Sequence, residues 1–188
     1  MATTVDLRNG AVLNFRDDLW TVVEFQHVKP GKGVAFVRTR LKNVKTGRVV
    51  EQTFRSGEKL DVVRVEEKSM QYLYPESDHF IFMDMETYDQ THVPREVVGD
   101  RVKYLKEGAV CTLRLKEDGE PVAFEMPFFI NLKITKTDPG GKGDTVSGGG
   151  KPAVLETGAV VTVPFFLDVG DIIRVDTRTN TYLERVKE

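Results

Sequence analysis

The chain has one cysteine and three scattered histidines among its 188 residues. The lone Cys111 excludes an internal disulfide, and this set is too small for a standard zinc cluster. No apolar run approaches the roughly 18 residues that a membrane span needs. The first ten residues also lack a cationic start followed by an apolar stretch, the mark of a secretory signal. The sequence therefore predicts a soluble, cytoplasmic protein without a metal or other cofactor.

Catalytic motifs are also missing. Gly31-Lys32-Gly33 and Gly141-Lys142-Gly143 place glycine after the lysine, where a phosphate-binding loop needs Ser or Thr. No G-x-S-x-G or H-E-x-x-H motif occurs, and the histidines lie far apart in sequence. We therefore predict that the protein is not an enzyme and has no catalytic residues. The three histidines are therefore predicted to be structural or surface residues: His27, His79 and His92.

Charge is unevenly distributed behind a net charge of −2. Residues 1–64 carry 12 Lys and Arg against 7 Asp and Glu, residues 65–128 carry 7 against 14, and residues 129–188 carry 8 of each. No acid lies between Glu24 and Glu51. This asymmetry indicates either a polyanionic partner for the first part or a solvated strand face. The basic residues of that acid-free interval are Lys29, Lys32, Arg38, Arg40, Lys42, Lys45 and Arg48.

The dominant hydrophobic period is two, which is typical of half-buried strands. In the segment 34–44 it places Arg38, Arg40 and Lys42 on one face, with a turn at 45–47 and a return strand over 48–54. Similar short runs recur with turn residues every 8–12 positions, which predicts an all-β chain of small barrels. These runs lie at 20–25, 60–65, 79–83, 110–115, 121–126, 131–135, 159–163, 172–175 and 181–186. Helical signal is confined to 85–91 and 94–105. Turn-rich points near residues 64 and 128 divide the chain into three domains: 1–64, 65–128 and 129–188.

Two glycine patterns support this division. The phrase Gly-Ala-Val opens an apolar run at Gly10, Gly108 and Gly158, a hint of related barrels. The segment Thr137–Pro152 holds six of the sixteen glycines and has β-periodic sequence on both sides. It is therefore predicted to be a long loop inside the third domain, where such loops are functional or disordered.

The sharpest local feature is the segment Lys29-Pro30-Gly31-Lys32-Gly33 between two predicted strands. Pro30 fixes its own φ, and the flanking glycines permit backbone angles that other residues avoid. Lys32 would stand at the tip of a tight turn with no neighbouring side chain to pair it. Such a lysine is either an ordinary solvated loop residue or a cation that enters a narrow polyanionic crevice. The basic strand that follows favours contact with RNA phosphates.

Several blocks of the sequence together resemble the bacterial elongation factor P family. The resemblance runs nearly end to end and includes HVKPGKG at 27–33, TFRSGEKL at 53–60, QYLYPE at 71–76 and FMDMETYDQ at 82–90. The segment 139–186 is similar to the C-terminal signature of the family. A paralogous family shares that signature but generally lacks the KPGKG tip, so the chain resembles the factor proper.

The resemblance implies three β-barrels in an L, the first SH3-like (KOW-type) and the other two OB-folds. It also implies a monomeric translation elongation factor that binds ribosomal RNA and protein between the peptidyl and exit sites. Such factors relieve stalling at consecutive prolines by positioning peptidyl-tRNA. The resemblance carries over the positioning lysine Lys32, which is extended in many members, with its tip loop Lys29, Pro30, Gly31 and Gly33, an exit-site codon loop Gly143, Asp144 and Thr145, and the signature residues Tyr182 and Arg185. The basic strand adds Arg38, Arg40 and Lys42 as RNA-binding residues.

Two rival classes remain open. A general OB-type RNA-binding protein would bind free RNA without ribosomes, although the acidic middle part argues against it. An enzyme with an unrecognised site would turn over a small molecule. The resemblance further implies a lysine-modifying enzyme as a possible partner, and the residues that flank Lys32 do not fix the chemical group that it would add.

Overall fold

A computed structural model describes residues 2–140 and 149–187. The described residues are nearly all β, as predicted, with one helical turn, α1 (Arg95–Val98), and two 3₁₀ segments (Thr4–Asp6 and Gly99–Tyr104). The strands are β1 (Ala2–Thr3), β2 (Val12–Phe15), β3 (Asp18–Val28), β4 (Phe36–Asn43), β5 (Val49–Arg55), β6 (Lys59–Val63), β7 (Val65–Glu76), β8 (His79–Asp84), β9 (Gln90–Pro94), β10 (Val110–Lys116), β11 (Pro121–Glu125), β12 (Phe129–Thr137), β13 (Lys151–Leu155), β14 (Val160–Val163), β15 (Ile172–Asp176) and β16 (Thr181–Arg185).

The first sheet has six strands in the order β1-β6-β2-β3-β4-β5. Strand β4 alternates strictly, with Val37, Thr39 and Leu41 buried and the intervening basic residues exposed. The period-two prediction for this strand is therefore confirmed. Val37 and Leu41 join a core that also contains Leu7, Leu13, Val22 and Phe54.

The second sheet has five strands in the order β11-β10-β7-β8-β9. An aromatic cluster fills its β7–β8 region, where the ring centroid of Tyr72 lies 6.1 Å from that of Phe80 and 5.4 Å from that of Phe82. All three side chains are buried. Edge-to-face and tilted contacts of this kind add stability beyond the area that they bury.

The third sheet has the order β14-β13-β12-β15-β16, with antiparallel neighbours throughout. Its central strand β12 contributes Leu132 and Ile134 to the core, which Leu155 of β13 and Ile173 of β15 complete. The predicted loop over 137–152 is wrong at its ends. Strand β12 runs through Thr137, and β13 begins at position 151, because ladder pairing continues past the point where the hydrophobic pattern fades.

The chain packs as two compact units, one of residues 1–68 with 113–124 and one of residues 69–112 with 125–188. The division into three domains, at 64 and 128, remains a proposal.

The repeated Gly-Ala-Val phrase has the same local structure in each of the three sheets. Gly10, Gly108 and Gly158 have φ of +86°, +82° and +87°, and each lies two residues before a strand that begins at the valine. Glycine adopts this left-handed conformation without the strain that a Cβ atom would cause. The repeat is therefore a recurring turn that leads into a strand.

Candidate nucleic-acid interface

The candidate interface is built on the long β3–β4 hairpin. Its ladder ends at the pair Val28↔Phe36, so residues 29–35 form the tip. One extra residue, Val23, interrupts the ladder between Val22 and Glu24. A bulge of this kind bends the strand and increases its local twist.

The tip presents its lysine to solvent. Lys29, Lys32 and both tip glycines are exposed, whereas Pro30 is half-buried. Gly33 has φ of +119°, a left-handed value that L side chains rarely adopt, and a Cβ atom there would lie 3.7 Å from the Pro30 ring. Across residues 2–140 and 149–187, no hydrogen bond or ion pair involves the Lys32 ammonium. The tip thus holds out an unneutralised cation on a constrained backbone.

The three basic residues of β4 share one exposed face, but their neighbours differ. Arg40 lies between two acids, because Glu24 Oε2 is 3.5 Å from its Nη1 and Glu51 stands opposite it on β5. The paired positions of Arg38 are Gln26 and Thr53, and those of Lys42 are Thr21 and Val49. The positive potential of the face is therefore concentrated at Arg38 and Lys42, while Arg40 is partly compensated.

A buried asparagine orders the other end of β4. The Asn43 amide nitrogen donates to Asp18 Oδ2 at 2.7 Å, and its oxygen accepts from the backbone N–H groups of Lys45 and Thr46 at 2.9 and 2.8 Å. Gly47, with φ of +71°, completes the predicted turn into β5. Asn43 was missed in the sequence, although an asparagine directly before a turn is a recognisable signal for this type of bond.

The remaining predicted site residues lie elsewhere. Gly143, Asp144 and Thr145 fall outside the described residues. Tyr182 is half-buried on β16 and pairs with Val175. Arg185, at the end of β16, forms an ion pair in which its Nη2 lies 2.8 Å from Asp171 Oδ1. Both signature residues belong to the unit that does not contain the hairpin.

Three family models match consecutive parts of the chain. They are the elongation factor P KOW-like domain over residues 3–60, the elongation factor P OB domain over 65–124 and the elongation factor P C-terminal region over 130–185. The chain belongs to the elongation factor P family.

Close relatives confirm the family assignment over the whole length. Proteins named elongation factor P from Acidothermus cellulolyticus, Frankia casuarinae and Pelotomaculum thermopropionicum are 55%, 53% and 51% identical to the chain. The matches cover 98–99% of this chain and 98–100% of the relatives. The chain is accordingly a translation elongation factor of a family that acts with the ribosome, and the expected KOW-like and OB architecture is confirmed.

An arginine-aromatic cluster in this family member was missed in the sequence. Arg178 donates to Asp176 from Nε at 3.0 Å and from Nη2 at 2.7 Å, and its guanidinium lies 4.5 Å from the ring centroid of Phe128 and 5.3 Å from that of Phe129. This fork-like hydrogen bonding holds the pKa of Asp176 below its usual value of 3.8 and raises that of Arg178. The D-x-R spacing in the β15–β16 turn is the signal that could have revealed the ion pair.

The described part of this elongation factor contains no group of three or more His, Cys, Asp or Glu that could hold a metal ion. His79 and His92, distant in sequence, have ring centroids 6.3 Å apart, and His92 lies 3.2 Å from Glu76. The Cys111 thiol is buried, which raises its pKa to about 12 and keeps it a protonated, poor nucleophile. Among the described helices, none is long and apolar enough to span a membrane.

Proposed function

We propose that the chain binds the ribosome between the peptidyl and exit sites and stimulates peptide-bond formation at consecutive prolines by positioning peptidyl-tRNA. The observation that carries the proposal is the exposed Lys32 ammonium, which has no partner in the described structure and stands at the tip of a hairpin with a basic face. The family assignment supplies the ribosome as the machine on which this tip would act.

The mechanism is catalysis by positioning in the active centre of another machine. Proline has a fixed φ, and a run of prolines can hold the peptidyl ester in an unreactive geometry. A cationic arm against the tRNA backbone would restrict the ester to a near-attack arrangement. In such systems a misplacement of about 1 Å can cost roughly 100-fold in rate.

The proposed residues divide the work by their place in the fold. Lys32, as such or extended by a lysine-modifying enzyme, is the positioning group at the tip. Arg38 and Lys42 attract phosphates, with a smaller part for the compensated Arg40. In the third domain, residues 143–145 lie near the exit-site codon. Pro30, Gly31 and Gly33 shape the tip, and Lys29 adds to the attraction of phosphates. Tyr182 and Arg185 belong to the C-terminal signature of the family.

The test is reconstituted translation of a reporter that contains three consecutive prolines. Wild-type protein from its own host should speed passage through the prolines and leave a proline-free reporter unchanged. Lys32→Ala should lose this effect and keep the wild-type melting temperature, since the side chain is exposed. Lys45→Ala is the matched control, because Lys45 is an exposed lysine in the next turn of the same sheet. Full stall relief by Lys32→Ala would remove Lys32 from the mechanism.

The intact mass of the same preparation shows whether Lys32 carries an extension. A competing general RNA-binding function is separated by measuring affinity for free RNA beside affinity for ribosomes. Strong binding to ribosomes together with weak binding to free RNA is the result that we expect.

A further inference from the structure

Lys151, the first residue of β13, is a buried lysine. Only 4% of the residue is exposed. Its Nζ donates a hydrogen bond to the backbone carbonyl oxygen of Asp138 at 2.5 Å and lies 3.9 Å from Asp168 Oδ1. Lysine is almost never fully buried unless it is paired, because removing its charge from water is costly. An ammonium kept at this buried position must therefore make an interaction that a neutral side chain could not make.

The reason lies in the end of the β12–β13 ladder. The last backbone pair is Thr137↔Ala153. One step further, Asp138 would face Pro152, which has no amide hydrogen to donate. The Lys151 ammonium supplies a donor to the Asp138 carbonyl in place of the missing amide, and a charged donor makes a stronger bond than a neutral one. A second side-chain hydrogen bond runs in the opposite direction, from Thr137 Oγ1 of β12 to the Pro152 carbonyl oxygen of β13 at 2.9 Å.

Gly140 and Gly150, at the same two strand ends, pack closely against neighbouring backbone. A Cβ atom on Gly140 would lie 2.6 Å from the carbonyl oxygen of Phe165, and one on Gly150 would lie 2.6 Å from that of Val163. Neither glycine has a positive φ, so close approach to backbone is what requires glycine at both positions. The chain is therefore packed tightly just before residue 141 and just after residue 148.

We propose that Lys151 is a positioning residue that fastens the two strand ends from which residues 141–148 depart. By holding Asp138 to the start of β13, the ammonium fixes the spacing and direction with which the chain leaves and re-enters the third sheet. This inference rests on the proposed function, in which residues 143–145 lie near the exit-site codon. Lys151 would then raise the affinity of the factor for the stalled ribosome without touching RNA itself.

The variant for the test is Lys151→Met, which keeps the length and apolar stem of the side chain and removes its donor and charge. Lys136→Met is the matched control, because Lys136 is an exposed lysine of the same sheet. Lys151→Gln keeps an N–H donor without the charge. The glutamine variant carries the comparison if the methionine variant fails to fold.

Two measurements are made on each full-length variant. The first is amide hydrogen exchange, which should accelerate in Lys151→Met at Asp138, at Gly140 and at residues 149–151, and remain at the wild-type rate in β15 and β16. The second is relief of a three-proline stall as a function of factor concentration. We expect Lys151→Met to raise the half-saturating concentration about tenfold at an unchanged maximal rate, Lys151→Gln to raise it less than threefold, and Lys136→Met to leave it unchanged.

Equal half-saturating concentrations for Lys151→Met and Lys136→Met would overturn the proposal. Faster exchange throughout the third sheet, with a lower maximal rate, would also overturn it, since that pattern marks general destabilisation. If the wild-type protein itself relieves no stall, the proposed function has failed and the positioning role fails with it. In that case, faster exchange limited to the strand ends would show only that Lys151 stabilises them, with no role in positioning.

Discussion

Replacing Arg38 with glutamine should weaken ribosome binding, whereas removing the neighbouring ion pair Arg40–Glu24 should not. Arg38 faces only uncharged residues on both adjacent strands, so its guanidinium is available to a phosphate. The Arg40 guanidinium forms an ion pair with Glu24, in which Nη1 lies 3.5 Å from Oε2. Changing both Arg40 and Glu24 to glutamine leaves the net charge of the protein unchanged and therefore isolates the effect of a compensated arginine.

The size of the effect follows from counterion release. Each phosphate that a protein neutralises contributes about 0.7–0.9 to the slope of log affinity against log salt concentration. At about 0.15 M salt, the loss of one such contact corresponds to a four- to fivefold loss of affinity. Exposed ion pairs contribute only about 0–1 kcal/mol to stability. Neither Arg38→Gln nor the double variant of Arg40 and Glu24 should therefore change the free energy of unfolding by more than about 1 kcal/mol.

The assay is equilibrium binding of the factor to ribosomes at a series of salt concentrations. For Arg38→Gln we expect a four- to fivefold weaker affinity near about 0.15 M salt and a slope reduced by about 0.7–0.9. For the double variant we expect affinity within about twofold of wild type and an unchanged slope. If the double variant loses as much affinity as Arg38→Gln, the cross-strand acids do not compensate Arg40 and the reasoning fails.

Two further predictions concern the third sheet. Gly150→Ala should lower the free energy of unfolding by roughly 1–3 kcal/mol in urea titrations, because its Cβ would lie 2.6 Å from the Val163 carbonyl oxygen; unchanged stability would show that the backbone yields easily. Arg178 lowers the pKa of Asp176 in the folded state, so the stability from this pair is present above the unfolded value of 3.8 and is lost as pH falls through the lower folded value. Asp176→Asn should accordingly lose less stability than wild type between pH 5 and about pH 2, and parallel losses would contradict this.

Local sequence predicted the outline of the fold where side-chain alternation is clean. In β4 every second residue is apolar or small, so its two faces could be read from the sequence. The twelve-residue β7 was missed, because Glu66 and Glu67 at its start hide the alternation that Met70 and Tyr72 later establish. Strand β13 was missed because it begins with Lys151 directly after a glycine run. Burial of that lysine contradicts the average behaviour of its residue type.

The candidate site divides in the same way. The exposed tip of Lys32 could be predicted from proline and glycine in its immediate neighbourhood. The compensation of Arg40 could not, since Glu24 lies 16 positions away and the register in which β3 pairs with β4 cannot be read from either strand alone. Contacts that depend on register across strands need the three-dimensional structure, even when each strand is predicted correctly.

Because of the bulge at Val23, the direction in which the hairpin leaves the sheet can change independently of the side chains at its tip. Because Val23 faces no residue of β4, its deletion would leave every cross-strand pair from Glu24 to Val28 with its present partner. The strand would lose only its bend, and the arm would leave the sheet in another direction with the same residues at its tip. Evolution can thus alter the reach of this arm by a single codon, independently of the residues with which it makes contact.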